Sequence, residues 1–210
     1  MPSRTCHITW AALAGLVIAQ SVWAAGSATE YRSRVGFTVT LPANWFALDP
    51  SIVSEASVNA ESHPALSNVD PADLRVALDR IRSGEYEYCF RESPSKGFAE
   101  NLTIRRRTLR IVDDPKLMRQ QCEGVPASFA RAFGRPVVVS TCELRTVAER
   151  PATYLEVEGA HEGTWSLQYQ IRESPETAIA LTATVRIENL TTARSELERI
   201  MTSLRFVNEP

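Results

Sequence analysis

Residues 163–206 read GTWSLQYQIRESPETAIALTATVRIENLTTARSELERIMTSLRF, and this stretch decides the fold. Trp165, Leu167, Tyr169 and Ile171 alternate with Ser166, Gln168, Gln170 and Arg172. After a Ser174-Pro175 turn, Ile179, Leu181, Ala183, Val185 and Ile187 alternate in the same way. A period of two in two neighbouring runs predicts an antiparallel hairpin with one buried face. Asn189 is then placed to cap a helix whose Leu190, Ala193, Leu197, Ile200, Met201 and Leu204 share one side. An apolar sheet face and an apolar helix stripe are expected to bury each other. On the opposite face of the second strand, Ala178, Ala180, Thr182 and Thr184 are small enough for helices to cover that side as well.

Upstream, Thr153–Glu158 directs Leu155 and Val157 inward, after a turn at Arg150-Pro151. Pro136–Val147 opens with Val137-Val138-Val139, the pattern of a central strand covered on both faces. Asp114-Pro115 starts a helix expected to break at Gly124-Val125-Pro126, resume through Ala127–Phe133 and stop at Gly134. Glu85–Glu92 and Asn101–Ile111 read as strands joined by the Ser93–Glu100 loop. In the first, Tyr86, Tyr88 and Phe90 share one face, and Glu85, Glu87, Cys89 and Arg91 the other. Asp70 as N-cap, Pro71 at the first position and Gly84 at the end predict a helix carrying Leu74, Ala77, Leu78 and Ile81. Asp49 to Ser57 is a candidate short helix, and His63 to Asn68 an irregular segment. Val35, Phe37, Val39 and Leu41 predict a first strand, ended by a Pro42-Ala43-Asn44 turn that sets Trp45 against the core. The whole is an α+β fold, a mostly antiparallel β-sheet flanked by helices as an α/β/α sandwich.

The first residues read as an export signal. Arg4 precedes an apolar run from Ile8 to Ala19, and Val22-Trp23-Ala24 suits a cleavage site, so residues 1–24 are expected to be removed and 25–210 to form one domain. The run is too short for a membrane span, and no stable membrane insertion is expected after processing. The destination is the periplasm or the exterior. There, Cys89, Cys122 and Cys142 meet oxidising conditions. Cys122 with Cys142 is the preferred disulfide, since it ties a helix to the next strand; Cys89 with either partner stays open. The chain carries a formal net charge of −2, which argues against a nucleic-acid binder.

Chemistry-bearing residues are few. The sequence holds no G-x-S-x-G, H-E-x-x-H, C-x-x-C or phosphate-binding glycine loop. Glu156, Glu158, His161 and Glu162 supply oxygen and nitrogen donors that can hold a divalent cation or serve a hydrolase. The plainer reading is a solvated strand edge and turn. Cys89 lacks a local histidine to activate it and reads as a structural thiol or disulfide member. Arg105, Arg106, Arg107 and Arg110 are the candidate interaction surface, for an acidic partner or anionic lipid. Alternation puts Arg105 and Arg107 on one face and Arg106 and Arg110 on the other, and Glu85 and Glu87 can pair with them across the hairpin. Trp45 and Trp165 are assigned to the core. No catalytic residue, metal or cofactor is assigned.

Three segments carry a family likeness: Tyr31 with Gly36-Phe37-Thr38-Val39-Thr40-Leu41-Pro42-Ala43-Asn44-Trp45, then Arg150-Pro151-Ala152-Thr153-Tyr154, and Ile200-Met201-Thr202-Ser203-Leu204-Arg205-Phe206. Together they resemble the PsbP-like superfamily, which includes a photosystem extrinsic subunit, a Ran-binding nuclear import factor and bacterial DcrB-type proteins. The resemblance implies an α/β/α sandwich used for binding or assembly rather than catalysis. The function expected is an exported, non-catalytic module acting through contact with an unidentified envelope protein. A metal-dependent or hydrolytic enzyme using Glu156, Glu158 and His161 is the alternative, and a small-ligand or lipid carrier the second alternative. Terminal sequencing of the exported chain should return Ala25 as its first residue; an intact residue 1 would overturn the export reading.

Overall fold

The computed structural model describes residues 27–48, 66, 69–92 and 98–207. The expected cleavage site, the short helix at Asp49 to Ser57, all of the His63 to Asn68 segment but Leu66, and residues 93–97 of the Ser93–Glu100 loop lie outside the described residues. Within them, β1 (Thr29–Ser33), β2 (Phe37–Leu41) and β3 (Trp45–Ala47) lead into α1 (Pro71–Arg82). Then come β4 (Glu87–Arg91), β5 (Asn101–Thr108) and α2 (Pro115–Phe133). β6 (Val139–Val147), β7 (Arg150–Glu158), β8 (Thr164–Arg172) and β9 (Thr177–Arg186) follow. The chain closes with a 3-10 turn (Ile187–Asn189), α3 (Leu190–Ser203) and β10 (Arg205–Phe206). The strands form two antiparallel sheets, β1-β2-β10 and β3-β4-β5-β9-β8-β7-β6, an α+β fold as the patterning requires. No helix among the described residues is long and apolar enough to cross a membrane.

The large sheet is organised by β9, its middle strand. Ile179, Leu181, Ala183 and Val185 point to one face, where Ala193, Leu197, Ile200 and Met201 of α3 join Phe37, Val39 and Leu41 of the small sheet in the main core. Fully burying each valine, leucine, isoleucine, phenylalanine or methionine among them contributes about 1.5–3 kcal/mol. The register carries the other face across the sheet as the row Tyr88, Thr103, Thr182, Gln168, Leu155, Cys142. α1 covers one end of that face, packing Leu74, Leu78 and Ile81 on Tyr88 and Phe90. α2 covers the other, held by the Cys122–Cys142 disulfide and by Met118 beside Thr153. The pairing is thus Cys122 with Cys142, and Cys89 is a free buried thiol.

Several local readings change. α2 runs unbroken through Gly124 and Pro126. Met118 is its only fully buried side chain, so Pro126 sits in a largely solvated helix whose neighbouring backbone groups can turn to water. Val137–Val139 is not a central strand. β6 begins at Val139, lies at the sheet edge, and leaves Val138 58% exposed. Arg150-Pro151 belongs to β7, and the turn is Ala148-Glu149, both with positive φ (46° and 64°), the conformation that a two-residue hairpin loop demands. Asn189 precedes α3 without a side-chain cap bond, because its amide donates to Glu100 at 2.8 Å instead. Ile187 leaves the β9 alternation and is exposed, and Trp165 is half-buried. Trp45 is where the turn was expected to put it, 4% exposed, its N–H 2.8 Å from the Pro42 carbonyl.

Since α2 rests on one buried methionine and one covalent bond, Cys142→Ser should remove about 3 kcal/mol of stability on the chain-entropy model. Its α2 amides should then exchange with deuterium well before those of β8 and β9; equal protection would show that packing alone holds the helix.

Candidate functional site

β4 and β6 are five strand spacings apart, about 24 Å at ~4.8 Å each. Helices about 10 Å across over the two ends cannot close that span. Between them β9 and β8 contribute Ala180, Thr182, Thr184, Ser166 and Gln168, and the middle of the face is a trough of about 700 Å³. Its floor is hydroxyl and amide, with Asn101 and Thr103 of β5 completing it. One wall is aromatic: Tyr86, Tyr88 and Phe90 stand in line, ring centroids 6.0 and 5.8 Å apart. The facing wall is Phe129 and Phe133 of α2, edge to face at 5.5 Å. Phe98 and His161, 6.2 Å apart, lie at one end. Arg80, Arg105 and Arg107 supply the cations. This volume lies in the range of small-molecule sites.

The arginine run divides as alternation requires. Arg105 and Arg107 line the trough, while Arg106, on the other side of β5, grips Glu173 with Nε 2.7 Å and Nη2 2.5 Å from its oxygens. The four arginines therefore do not form one surface; Arg110 lies exposed beyond the end of β5. Glu85 reaches Arg105 at 3.8 Å, as expected. Glu87 does not pair with the run: it faces the small sheet, accepting from Tyr31 Oη at 2.5 Å and the Arg34 amide at 2.9 Å. Arg105 also meets the Tyr86 hydroxyl, and its guanidinium lies 4.8 Å from that ring. Partial burial, and then Arg105 beside it, holds Arg107 below its ordinary value.

The expected metal or hydrolytic group does not assemble. Glu156 is buried on the α3 side, where Arg194 binds it at 2.7 and 2.8 Å and Tyr154 Oη donates at 2.6 Å. Glu158 pairs with Arg135 at 3.2 Å and accepts from the Val138 amide. His161 packs beside Phe98 at the trough. Each has a separate partner, and among the described residues no group of three or more His, Cys, Asp or Glu could hold a metal. Cys89 is fully buried on the core face, and burial pushes its thiol far above the ordinary range, the opposite of an activated nucleophile.

Sequence reasoning passed over the buried ionic cluster beside the core. Arg91 binds both Glu100 and Glu196, with Nε 2.7 Å from the latter. Glu100 also accepts from the Arg186 amide at 2.9 Å and from Asn189. Glu196 accepts from Trp45 Nε1 at 2.9 Å and Asn44 at 3.0 Å. The signal was present for Glu196: three after Ala193 and four before Ile200, it lies on the buried stripe of α3. Nothing local marks Glu100, which enters β5 from a loop.

No protein-family model and no curated protein matches the chain. Solved structures do. The chain is similar in fold to PsbP. The solution structure of cyanobacterial PsbP (CyanoP) from Synechocystis sp. PCC 6803 is 16% identical, with a TM-score of 0.49 over 89% of this chain and 95% of that one. PA94 from Pseudomonas aeruginosa, a protein of unknown function, is 16% identical at a TM-score of 0.42, covering 88% of this chain and 99% of that one. A Bacteroides thetaiotaomicron protein is 12% identical at 0.44 over 87% of this chain, which spans 49% of its length. No site residue is carried over from these structures.

Burial raises the Glu196 carboxyl, but Arg91, Trp45 and Asn44 outweigh it and leave it below the usual carboxylate range. Glu156 is depressed in the same sense by Arg194 and Tyr154, against its burial. A carboxyl depressed on folding stabilises above its unfolded pKa, and that stability is lost as pH falls through the folded value. Thermal stability should therefore decline from about pH 4.5 downward. Glu196→Gln should cost on the order of 3 kcal/mol at pH 7 and flatten that decline; an unchanged acid limb would remove Glu196 from the account.

Proposed function

We propose that the protein is an exported, non-catalytic binding module that works through the trough between α1 and α2. The observation that carries this is the trough itself: an open recess of about 700 Å³ with a polar floor and two aromatic walls. Apolar recesses with a few polar groups are the usual form of a ligand site. Against catalysis stands the use of the ionic groups elsewhere. Glu87, Glu100, Glu156 and Glu196 are each held by internal arginines, tyrosines, tryptophan or amides. The internal disulfide suits an oxidising compartment and supports export.

A contact with an envelope protein, the expectation drawn from the resemblance, is the second reading. The trough is open between the helices, and Val76 at its α1 rim is 51% exposed, so a partner's side chain can enter it.

Thr182 is at the centre of the floor, and Thr182→Trp should fill the recess without touching the core face. N-phenyl-1-naphthylamine, a neutral dye that brightens on leaving water, should bind the parent chain and bind Thr182→Trp at least tenfold more weakly, with melting unchanged. Equal binding to both chains, or none to the parent, would remove the trough as a site. In affinity capture from envelope extract, a partner held by the parent and lost by Thr182→Trp would favour the protein-contact reading, and one held by both would place the contact elsewhere.

A further inference from the structure

The trough is asymmetric in charge. Arg105 and Arg107 leave the same side of β5 two residues apart, which is about 6.7 Å along an extended strand. Their cross-strand neighbours on β9 are Ala180 and Ala178, so nothing from that strand covers or neutralises them. The next strand offers Gln170 and Arg172, and Arg172 is already bound to Asp113 at 2.9 Å. Arg80 approaches from α1, its guanidinium 5.4 Å from the Tyr86 ring. The facing acids are few. Glu85 reaches Arg105 at 3.8 Å from an exposed position, and Asp73 lines the α1 side. Among the described residues Arg107 has no carboxylate partner.

Two neighbouring guanidiniums repel each other, and side-chain entropy favours their dispersal into solvent. Fixed on one strand beside an aromatic wall, they form a fork that a single oxyanion can bridge, with charge-assisted hydrogen bonds from both. Half-buried Arg105 and the more exposed Arg107 both line the recess, which suits a small solute better than a broad polyanion or a bilayer. We propose that the trough takes a small amphiphilic anion, with a flat or apolar body between the Tyr86–Tyr88–Phe90 and Phe129–Phe133 walls. Its one carboxylate, sulfonate or phosphate head is held by Arg105 and Arg107. This rests on the trough being a binding site and adds the class of ligand.

A matched pair of dyes tests it on the processed chain. 8-Anilinonaphthalene-1-sulfonate is N-phenyl-1-naphthylamine carrying one sulfonate, so any difference in affinity reports the charge. The sulfonate dye should bind the parent at least tenfold more tightly than the neutral dye, and that preference should shrink as salt rises. Arg107→Gln, an exposed position, should lower sulfonate binding about tenfold and leave neutral-dye binding within twofold. Arg106→Gln, on the opposite side of the strand, should change neither. Equal affinity of the two dyes for the parent, or equal losses in Arg106→Gln and Arg107→Gln, would overturn the anion proposal while leaving the trough a site. Failure of both dyes to bind the parent would overturn the trough reading together with it.

Discussion

The alternation along β9 is the constraint on which the molecule depends. A strand has two faces, and in the middle strand of a seven-stranded sheet each must be satisfied differently. Ile179, Leu181, Ala183 and Val185 build a dry interface with α3 and the small sheet. Ala180, Thr182 and Thr184 instead floor the trough. A slip of one residue in register would exchange the two sets, burying threonines and exposing the core. The antiparallel pairings from β4 through β9 to β6 fix that register across the sheet.

The two faces are stabilised by different means. The core face combines apolar packing with enclosed ionic clusters, in which Arg91 bridges Glu100 and Glu196 and Arg194 holds Glu156. Such clusters are costly to desolvate and add little net stability over apolar replacements, but each broken pair leaves a buried charge behind. They pin α3, the Trp45 turn and the ends of β4 and β5 to one another. Among the described residues the outer face has no such interlock. α2 is a long helix held by one methionine and one disulfide, and the recess lies beside it.

This division bears on function. Reactive side chains need shifted ionisation and mutual access. The carboxylates whose pKa is lowered among these clusters, Glu156 and Glu196, are enclosed on the core face with arginine partners. The accessible face offers aromatic rings, hydroxyls, amides and arginines, with His161 at one end and Asp73 on the α1 side.

Much of this was legible in the chain alone. Period-two runs gave the β8–β9 hairpin, Asp70-Pro71 gave the start of α1, and the separation of Tyr88 and Phe90 from Glu87, Cys89 and Arg91 holds within β4, while Glu85, expected with the second set, precedes the strand and reaches Arg105 on the Tyr86 side. Cys122 and Cys142 were the preferred pair. These are short-range properties, set by backbone periodicity and neighbouring side chains, and a sequence carries them directly. What it could not carry was position within the sheet. Val137–Val139 looks like a central strand because apolar runs are alike, and only pairing reveals β6 as an edge. Glu156 and His161 lie five residues apart yet serve different neighbours, since Arg194, some forty residues on, claims the glutamate. The trough belongs wholly to tertiary structure: no residue in it signals a cavity, and it exists because two helices docked at opposite ends of a sheet too wide for them to cover.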